Sequence, residues 1–430
     1  MSDYTKKTLG VLSTQVLIFP LSMISGILIA RYLGPSGKGV LAIMLLVSTV
    51  IKLLGGMGME FSNVYFTSKK PTRFHEIFSN NLLIWIASSA FFALIALLLR
   101  DYVLSRFLPG FDSKMFNLAV LIFPFLLWSG YALTLCQGLE RFFKFNMLRI
   151  IEPVTRLVGL ILLVVILRRG ITGGAHAIFL SYFVPTVLSF LILAKHVKSK
   201  LSIEKKLLGE SIKYGMKGQI GIFFQFFNYR LDMFLVNYFL DINAVGLYSV
   251  SVTIAELLWY VPNSISLTLF PRVSRKERTP ASEFTGRVSR ISIAVMLLSA
   301  LVLGLLGQYL IPVLYGNDFV QSILPLQILL PGIIAFGLVK ILTNHLHGMG
   351  KPYYGSIVTI CSLVLTLVFD MLLIPRIGIL GAAIATTGAY LISLLLTIVF
   401  FIKESHLTLM KFMLPSFEFL SIIKRFLKKP

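Results

Sequence analysis

Twelve apolar runs, each close to 20 residues long, punctuate this chain of 430 residues. A helix needs about 20 such residues to cross the hydrocarbon core of a bilayer. The runs lie near 8–30, 40–60, 82–99, 116–138, 150–167 and 174–194, then near 213–238, 245–268, 289–314, 322–346, 354–374 and 378–402. Backbone amides in lipid have no water to bond to, so a run of this length must satisfy them internally as a helix. The expected fold is all-α and integral to the membrane, with about twelve transmembrane helices. Composition agrees: only 13% of the residues are charged, against about 25% in a soluble domain, which leaves too little polar surface to cover a water-facing body. The first run is too long for a signal peptide, lacks a small-residue cleavage site and is followed by further spans.

A net charge of +22 in a soluble protein would suggest nucleic acid. Here the basic residues collect in alternate loops. Lys195, Lys198, Lys200, Lys205 and Lys206 occupy the middle loop, Arg272, Arg275, Lys276 and Arg278 a later one, and Lys424, Arg425, Lys428 and Lys429 the tail. The loops after spans seven and nine hold none. Lys and Arg are retained on the cytoplasmic side of membrane proteins. Both termini are therefore expected in the cytoplasm, with the charge against membrane lipid headgroups rather than nucleic acid. Cys136 and Cys361 lie inside spans without metal-ligand spacing, so they read as packing residues, and no cofactor or metal is expected.

The chain divides by its runs into a six-helix bundle over 1–194, a linker over 195–212, a second six-helix bundle over 213–402 and a basic amphipathic tail over 403–430. Leu201–Leu208 is basic and apolar on one side, which predicts a short helix lying at the cytoplasmic surface. The halves also resemble each other at a shift of 206–210 residues. Span one ends Arg31-Tyr32-Leu33-Gly34-Pro35-Ser36-Gly37, and span seven ends Asn237-Tyr238-Phe239-Leu240-Asp241-Ile242-Asn243 ahead of Val245-Gly246-Leu247-Tyr248. Gly170-Ile171-Thr172-Gly173-Gly174-Ala175 matches Gly378-Ile379-Leu380-Gly381-Ala382-Ala383, and Gln137-Gly138-Leu139-Glu140-Arg141 matches His347-Gly348-Met349-Gly350-Lys351. Six spans is an even number, so both halves keep one orientation, related by a pseudo-two-fold axis along the membrane normal. Such transporters hold their substrate between the halves and work by alternating access.

These landmarks also carry a family resemblance. Ala30-Arg31-Tyr32-Leu33-Gly34-Pro35-Ser36-Gly37, Val245-Gly246-Leu247-Tyr248-Ser249 and Leu269-Phe270-Pro271-Arg272-Val273-Ser274-Arg275 resemble bacterial polysaccharide-biosynthesis flippases of the O-antigen and capsule type. Their superfamily also contains multidrug and toxin extruders and peptidoglycan-precursor flippases. The resemblance implies two V-shaped bundles in the bacterial inner membrane. It further implies transfer of an undecaprenyl-pyrophosphate-linked glycan to the outer leaflet, alongside polymerase and export components of the same pathway.

An ionisable residue at a span centre costs about 2.5–3.5 kcal/mol on insertion scales, so each is a functional candidate unless it snorkels or pairs. The candidates are Lys52, Glu60, Glu152, Arg156, Arg230, Asp232, Glu256, Lys340 and Asp370. Lys52, Arg156, Arg230 and Lys340 give both halves basic groups at depth, which suits a pyrophosphate, and Arg31 reads as interfacial or as part of a cavity mouth. Asn228 and Asp232 share a helix face, whereas Arg230 points elsewhere. Ser249, Thr253, Glu256, Tyr260 and Asn263 recur every three or four residues and draw one polar face. Lys340, Asn344 and His347 draw another, and His345 lies off it. Glu256 reads either as a proton or sodium site, with Asp232 as a second candidate, or as the partner of Arg230. The rings of Phe223, Phe224, Phe226, Phe227 and Tyr229 read as packing, with a sugar path as the alternative.

Two other functions fit less well. A multidrug extruder needs an acidic cavity for cationic drugs. A polysaccharide polymerase or ligase needs a sizeable outer loop, and the longest here, near 100–115, is short. No zinc-protease motif, phosphate-binding loop or nucleophile elbow occurs. The expectation is a transporter, not an enzyme.

Overall fold

A computed structural model describes residues 3–197, 201–274 and 278–405, and every regular element among the described residues is helical. Unit 1 opens with α1 (Asp3–Gly55) and α2 (Met59–Lys69), and continues through α3 (Phe74–Leu98), α4 (Arg100–Arg106), α5 (Ser113–Gly138), α6 (Phe142–Leu160) and α7 (Gly170–Ala194). There follow α8 (Lys205–Phe239), α9 (Ile242–Ala255), α10 (Tyr260–Ser274), α11 (Arg278–Tyr315), α12 (Ile323–Gly348), α13 (Tyr353–Ile377) and α14 (Ile379–Ser405). Nine segments among the described residues are long and apolar enough to cross a membrane. One of them contains two spans, because α1 bends at Gly34. Two further spans predicted by the sequence fall on α6 and α8, which are more polar and carry Arg149, Glu152 and Arg156, or Arg230 and Asp232. About twelve crossings result, as the sequence predicts.

The bend in α1 has a backbone cause. Gly34 sits at φ 67, ψ −174, a region open to glycine and closed to side chains with a Cβ. Pro35 follows and pushes its predecessor away from helical geometry. Span two differs from its predicted extent of 40–60. The helix stops at Gly55, turns through Met57 (φ 45) and Gly58 (φ 70), and restarts as α2.

The chain separates into two compact units. One comprises Met1–Phe226, Asp241–Gly246 and Leu314–Asp318, and the other Phe227–Leu240, Leu247–Val313 and Phe319–Pro430. The division falls inside α8, not in the linker over 195–212 where the sequence placed it. Contacts explain the difference. In the first part of α8, Gly215 lies so close to Gly58 that a Cβ there would sit 2.2 Å from the Gly58 carbonyl oxygen, and Gln219 Nε2 donates to Leu53 O at 2.6 Å. Those residues are tied to unit 1. The expected surface helix over Leu201–Leu208 is not a separate element either. Leu201–Glu204 is non-helical, Ser202 N donates to Ser79 Oγ at 3.1 Å, Glu204 N to Asn80 Oδ1 at 3.2 Å, and α8 begins at Lys205 with the Glu204 carboxylate capping Leu207 N. A capping carboxylate satisfies an orphan amide of the first turn, so the helix starts there and runs on. Residues 406–430 of the expected amphipathic tail lie outside the described residues.

In unit 1 the core is built on α5, whose Trp128 and Tyr131 are fully buried. Trp128 Nε1 donates to Ser189 Oγ at 2.9 Å, its ring stacks on Phe190 at 4.2 Å, and Tyr131 Oη donates to Gly56 O at 2.9 Å. In unit 2, Trp259 Nε1 donates to Ile333 O at 2.9 Å, and Ser251 and Ser322 bond to the carbonyls of Ser322 and Leu247. Leu98, Phe143, Leu298 and Leu395 are exposed, as side chains that meet lipid must be. Cys136 is buried and Cys361 half-buried, and both are free thiols.

The internal repeat has a backbone counterpart. After α5 the amides of Leu139, Glu140 and Arg141 bond to the carbonyls of Leu135, Gln137 and Cys136. After α12 those of Met349, Gly350 and Lys351 bond to His345, His347 and Leu346, the same pattern displaced by 210 residues. Gly170 and Gly378 both open the next helix with positive φ, 58 and 65.

Candidate functional site

The side chains singled out by the sequence fall into separate places. In unit 1, Lys52 Nζ lies 2.8 Å from Glu60 Oε1. Gly130 faces this pair without a side chain: a Cβ there would come within 2.0 Å of the Glu60 carboxylate. Arg156 bonds to Glu152 one turn earlier on α6, at 2.5 Å. Arg31 is exposed, and its Nε donates to Leu314 O at 2.9 Å, holding the short Leu314–Asp318 segment.

In unit 2, the Arg230 guanidinium grips Glu256 through two bonds of 2.7 and 3.0 Å, and a third from Nη1 reaches Tyr229 O at 3.0 Å. Paired bonds of this kind are stronger than a single contact and fix the plane of the group. Glu256 opens a 3-10 turn, Glu256–Trp259, that interrupts span eight. Lys340 lies nearby on α12, 3.7 Å above the Trp259 ring and 5.2 Å from that of Tyr229, with Asn263 Oδ1 at 3.4 Å. It forms no ion pair among the described residues. A cation over an indole face is attracted by the ring quadrupole. Asn344, one turn on, donates to Ser266 O at 3.2 Å, so the α12 stripe runs along α10. Thr253, Tyr260 and Asn263 are exposed, and Thr253 also bonds back to Ser249 O. From the aromatic run near 223–229, Tyr229 packs against Trp259 at 5.0 Å and Phe336 at 5.7 Å.

Basic charge at depth is therefore compensated. Lys52, Arg156 and Arg230 each hold a carboxylate of their own, and Lys340 alone of the four rests on aromatic rings. Three of the four basic groups thus have a local counter-charge. The reason is the low dielectric, which penalises a bare charge until a partner is recruited.

Asp232 forms no ion pair with Arg230 among the described residues, but the two are close enough to interact electrostatically. Asp232 is buried, accepts from Tyr248 Oη at 2.8 Å and from Met233 N at 2.8 Å, and Tyr248 Oη stands 3.5 Å from Thr386 Oγ1. Asp370, on α13, is fully buried and close enough to interact electrostatically with Asp232 and Tyr248. Neither of its carboxylate oxygens has a hydrogen-bond partner among the described residues. Both amide atoms of Asn228, on the Asp232 face, and the Thr366 hydroxyl are likewise buried without such partners. Buried polar groups are nearly always satisfied, so such a group calls for a proton, water or ion. The sequence flags Asp370 as an intramembrane charge but gives no reason to join it to Asp232, 138 positions away by numbering. His345 is buried off the α12 stripe, with Thr285 Oγ1 at 2.7 Å, and acts as a packed residue. No group of three or more metal-binding side chains exists among the described residues.

Comparison with known proteins adds independent information. The chain is 28% identical over 206 residues to an uncharacterized membrane protein of Methanocaldococcus jannaschii, covering 47% of this chain and 41% of that one. It is 24% identical to a probable low-salt glycan biosynthesis flippase of Haloferax volcanii, covering 43% and 39%. It thus spans about two fifths of the length of these two relatives. A putative O-antigen transporter of Shigella flexneri is 22% identical, with 83% of this chain and 88% of that one covered. Among solved structures, an inward-facing multidrug transporter matches with a TM-score of 0.75 at 12% identity, covering 90% and 94% of the two chains. The lipid II flippase MurJ in an inward closed conformation matches with 0.72 at 15%, covering 98% and 96%. Those structural likenesses show the fold. The profile of the polysaccharide biosynthesis protein family matches residues 28–324, and this multi-pass membrane chain belongs to that family.

Proposed function

We propose that the protein is a flippase that carries a lipid-linked oligosaccharide across its membrane by alternating access. In a bacterial inner membrane, the carrier is undecaprenyl pyrophosphate. The observation that carries this reading is the bidentate Arg230–Glu256 pair, with Lys340 over Trp259 and outside every ion pair among the described residues. A pyrophosphate offers Arg230 the same paired acceptors that Glu256 offers, and Lys340 adds a point charge. The substrate then takes Arg230 from Glu256, and the carboxylate takes it back when the substrate leaves. The names of the glycan flippase and O-antigen transporter relatives support the substrate class.

Glu256 serves Arg230, so ion coupling moves to Asp232 and Asp370. Of two carboxylates in one low-dielectric place, one takes up a proton or the pair holds a monovalent cation. The Tyr248 and Thr386 hydroxyls beside them suit either. A multidrug extruder fits less well, because Glu60, Glu152 and Glu256 are all engaged by cations. The test is mass spectrometry of lipid-linked intermediates in cells lacking the protein. Accumulation of one glycan-charged carrier, reversed by the wild type and not by Arg230→Ala, is expected. An unchanged pool in the deletion strain would remove the flippase reading.

A further inference from the structure

The end of α2 and the start of α8 enclose a feature that the transport reading leaves unused. A cavity of about 370 Å³ opens between them, walled by Lys69, Lys70, Lys213 and Lys217. The lining also includes Tyr65 and Tyr214, stacked at 4.6 Å with 19° between the ring planes, and Phe66, which meets Tyr214 edge-on at 5.9 Å. Glu210 is the single acidic residue in the lining, and it stands 3.9 Å from Lys70. Lys213 and Lys217 form no ion pair among the described residues.

The wall is built, not incidental. Gly58 and Gly215 bring the two segments into backbone contact, and Gly218 leaves room for the Phe61 ring, 2.8 Å from where its Cβ would be. Larger residues there would push Tyr65 and Tyr214 out of stacking range. Lys213 and Lys217 stand four apart on one face of α8, an arrangement that like charges disfavour on a helix. Tyr65 Oη accepts from Lys69 Nζ at 2.9 Å, which leaves the phenol proton aimed elsewhere. Ammonium groups are donors only and a phenol O–H donates by preference, and these groups line one cavity in which an oxyanion would satisfy them. The site lies on the side that loop charge assigns to the cytoplasm, and Tyr rings are favoured at the headgroup layer.

We infer that the cavity between α2 and α8 binds the phosphate-bearing headgroup of a membrane lipid, with Lys69, Lys213 and Lys217 neutralising the phosphate and the Tyr65–Tyr214 stack packing against it. The site needs no particular glycan and does not rest on the flippase assignment. Phosphate of this kind reaches it from a bulk anionic phospholipid or from the carrier lipid of a glycan.

The experiment measures binding by native mass spectrometry on the delipidated full chain in neutral detergent. The probes are phosphatidylglycerol, undecaprenyl pyrophosphate, phosphatidylcholine and inorganic pyrophosphate. The site variant is Lys69→Gln with Lys213→Gln and Lys217→Gln. The control removes equal charge elsewhere, by Arg100→Gln, Arg106→Gln and Lys114→Gln. Three lysines near a lipid surface predict at least a ten-fold loss of phosphatidylglycerol or carrier affinity in the site variant, less than two-fold in the control, and no change for phosphatidylcholine. Loss for both anionic lipids identifies a general headgroup site, and loss confined to undecaprenyl pyrophosphate identifies the carrier as occupant. Equal losses in site variant and control, no loss at all, or loss for inorganic pyrophosphate without loss for either lipid overturns the inference. Transport is not read, so a failed flippase assay leaves this result intact.

Discussion

Arg230 holds Glu256 with both terminal nitrogens, at 2.7 and 3.0 Å, so its charge is already balanced by a carboxylate in this conformation. Stability and transport then separate experimentally. Arg230→Ala leaves a largely buried carboxylate alone and should cost about 1–3 kcal/mol, less than the 3–5 kcal/mol of a fully buried pair because both groups keep some exposure. Arg230→Ala with Glu256→Ala should recover most of the melting temperature and none of the glycan export. Export restored by the double variant would make the pair structural only.

Asp370 keeps two unpartnered oxygens in a fully buried position near Asp232. Asp370→Asn removes the charge with little change of shape. It should leave the fold intact and abolish the dependence of transport on an imposed proton or sodium gradient in proteoliposomes. A variant that responds to either gradient as the wild type does would exclude the buried pair from coupling.

Gly34 turns α1 through φ 67, ψ −174, with nothing within 4 Å of a Cβ placed there. Space is not the constraint, so the cost of Gly34→Ala is conformational, about 1–3 kcal/mol. A thermal melt in detergent reads this as a lowered midpoint. An unshifted midpoint would mean that another residue sets the bend.

Gly39 and Gly246 make reciprocal contacts between matched landmarks of the repeat. A Cβ on Gly39 would fall 1.8 Å from Ile242 O, and one on Gly246 would fall 1.8 Å from Pro35 O. Gly39→Val and Gly246→Val should each lower the melting midpoint. The double variant should be little worse than either single one, because one close approach is lost only once. Additive losses would show two independent sites.

The sequence by itself determined the features that local chemistry and run length dictate. Twelve runs near 20 residues require membrane helices, because lipid offers no alternative partner for the backbone. The segments at Gly170 and Gly378 are legible as a repeat, and both glycines take positive φ. The placing of Arg230 and Asp232 on different helix faces came from helical periodicity alone. Tertiary structure decided which charge meets which. Lys52 meets Glu60 across the turn between α1 and α2, Arg230 meets Glu256 across neighbouring segments, and Asp370 approaches Asp232 only after helices distant in sequence have packed. The unit boundary within α8 and the cavity lined by lysines, Tyr65 and Tyr214 are of the same kind. A pattern along one helix reports which face is polar, but the partner that neutralises a charge in a low dielectric is chosen by packing.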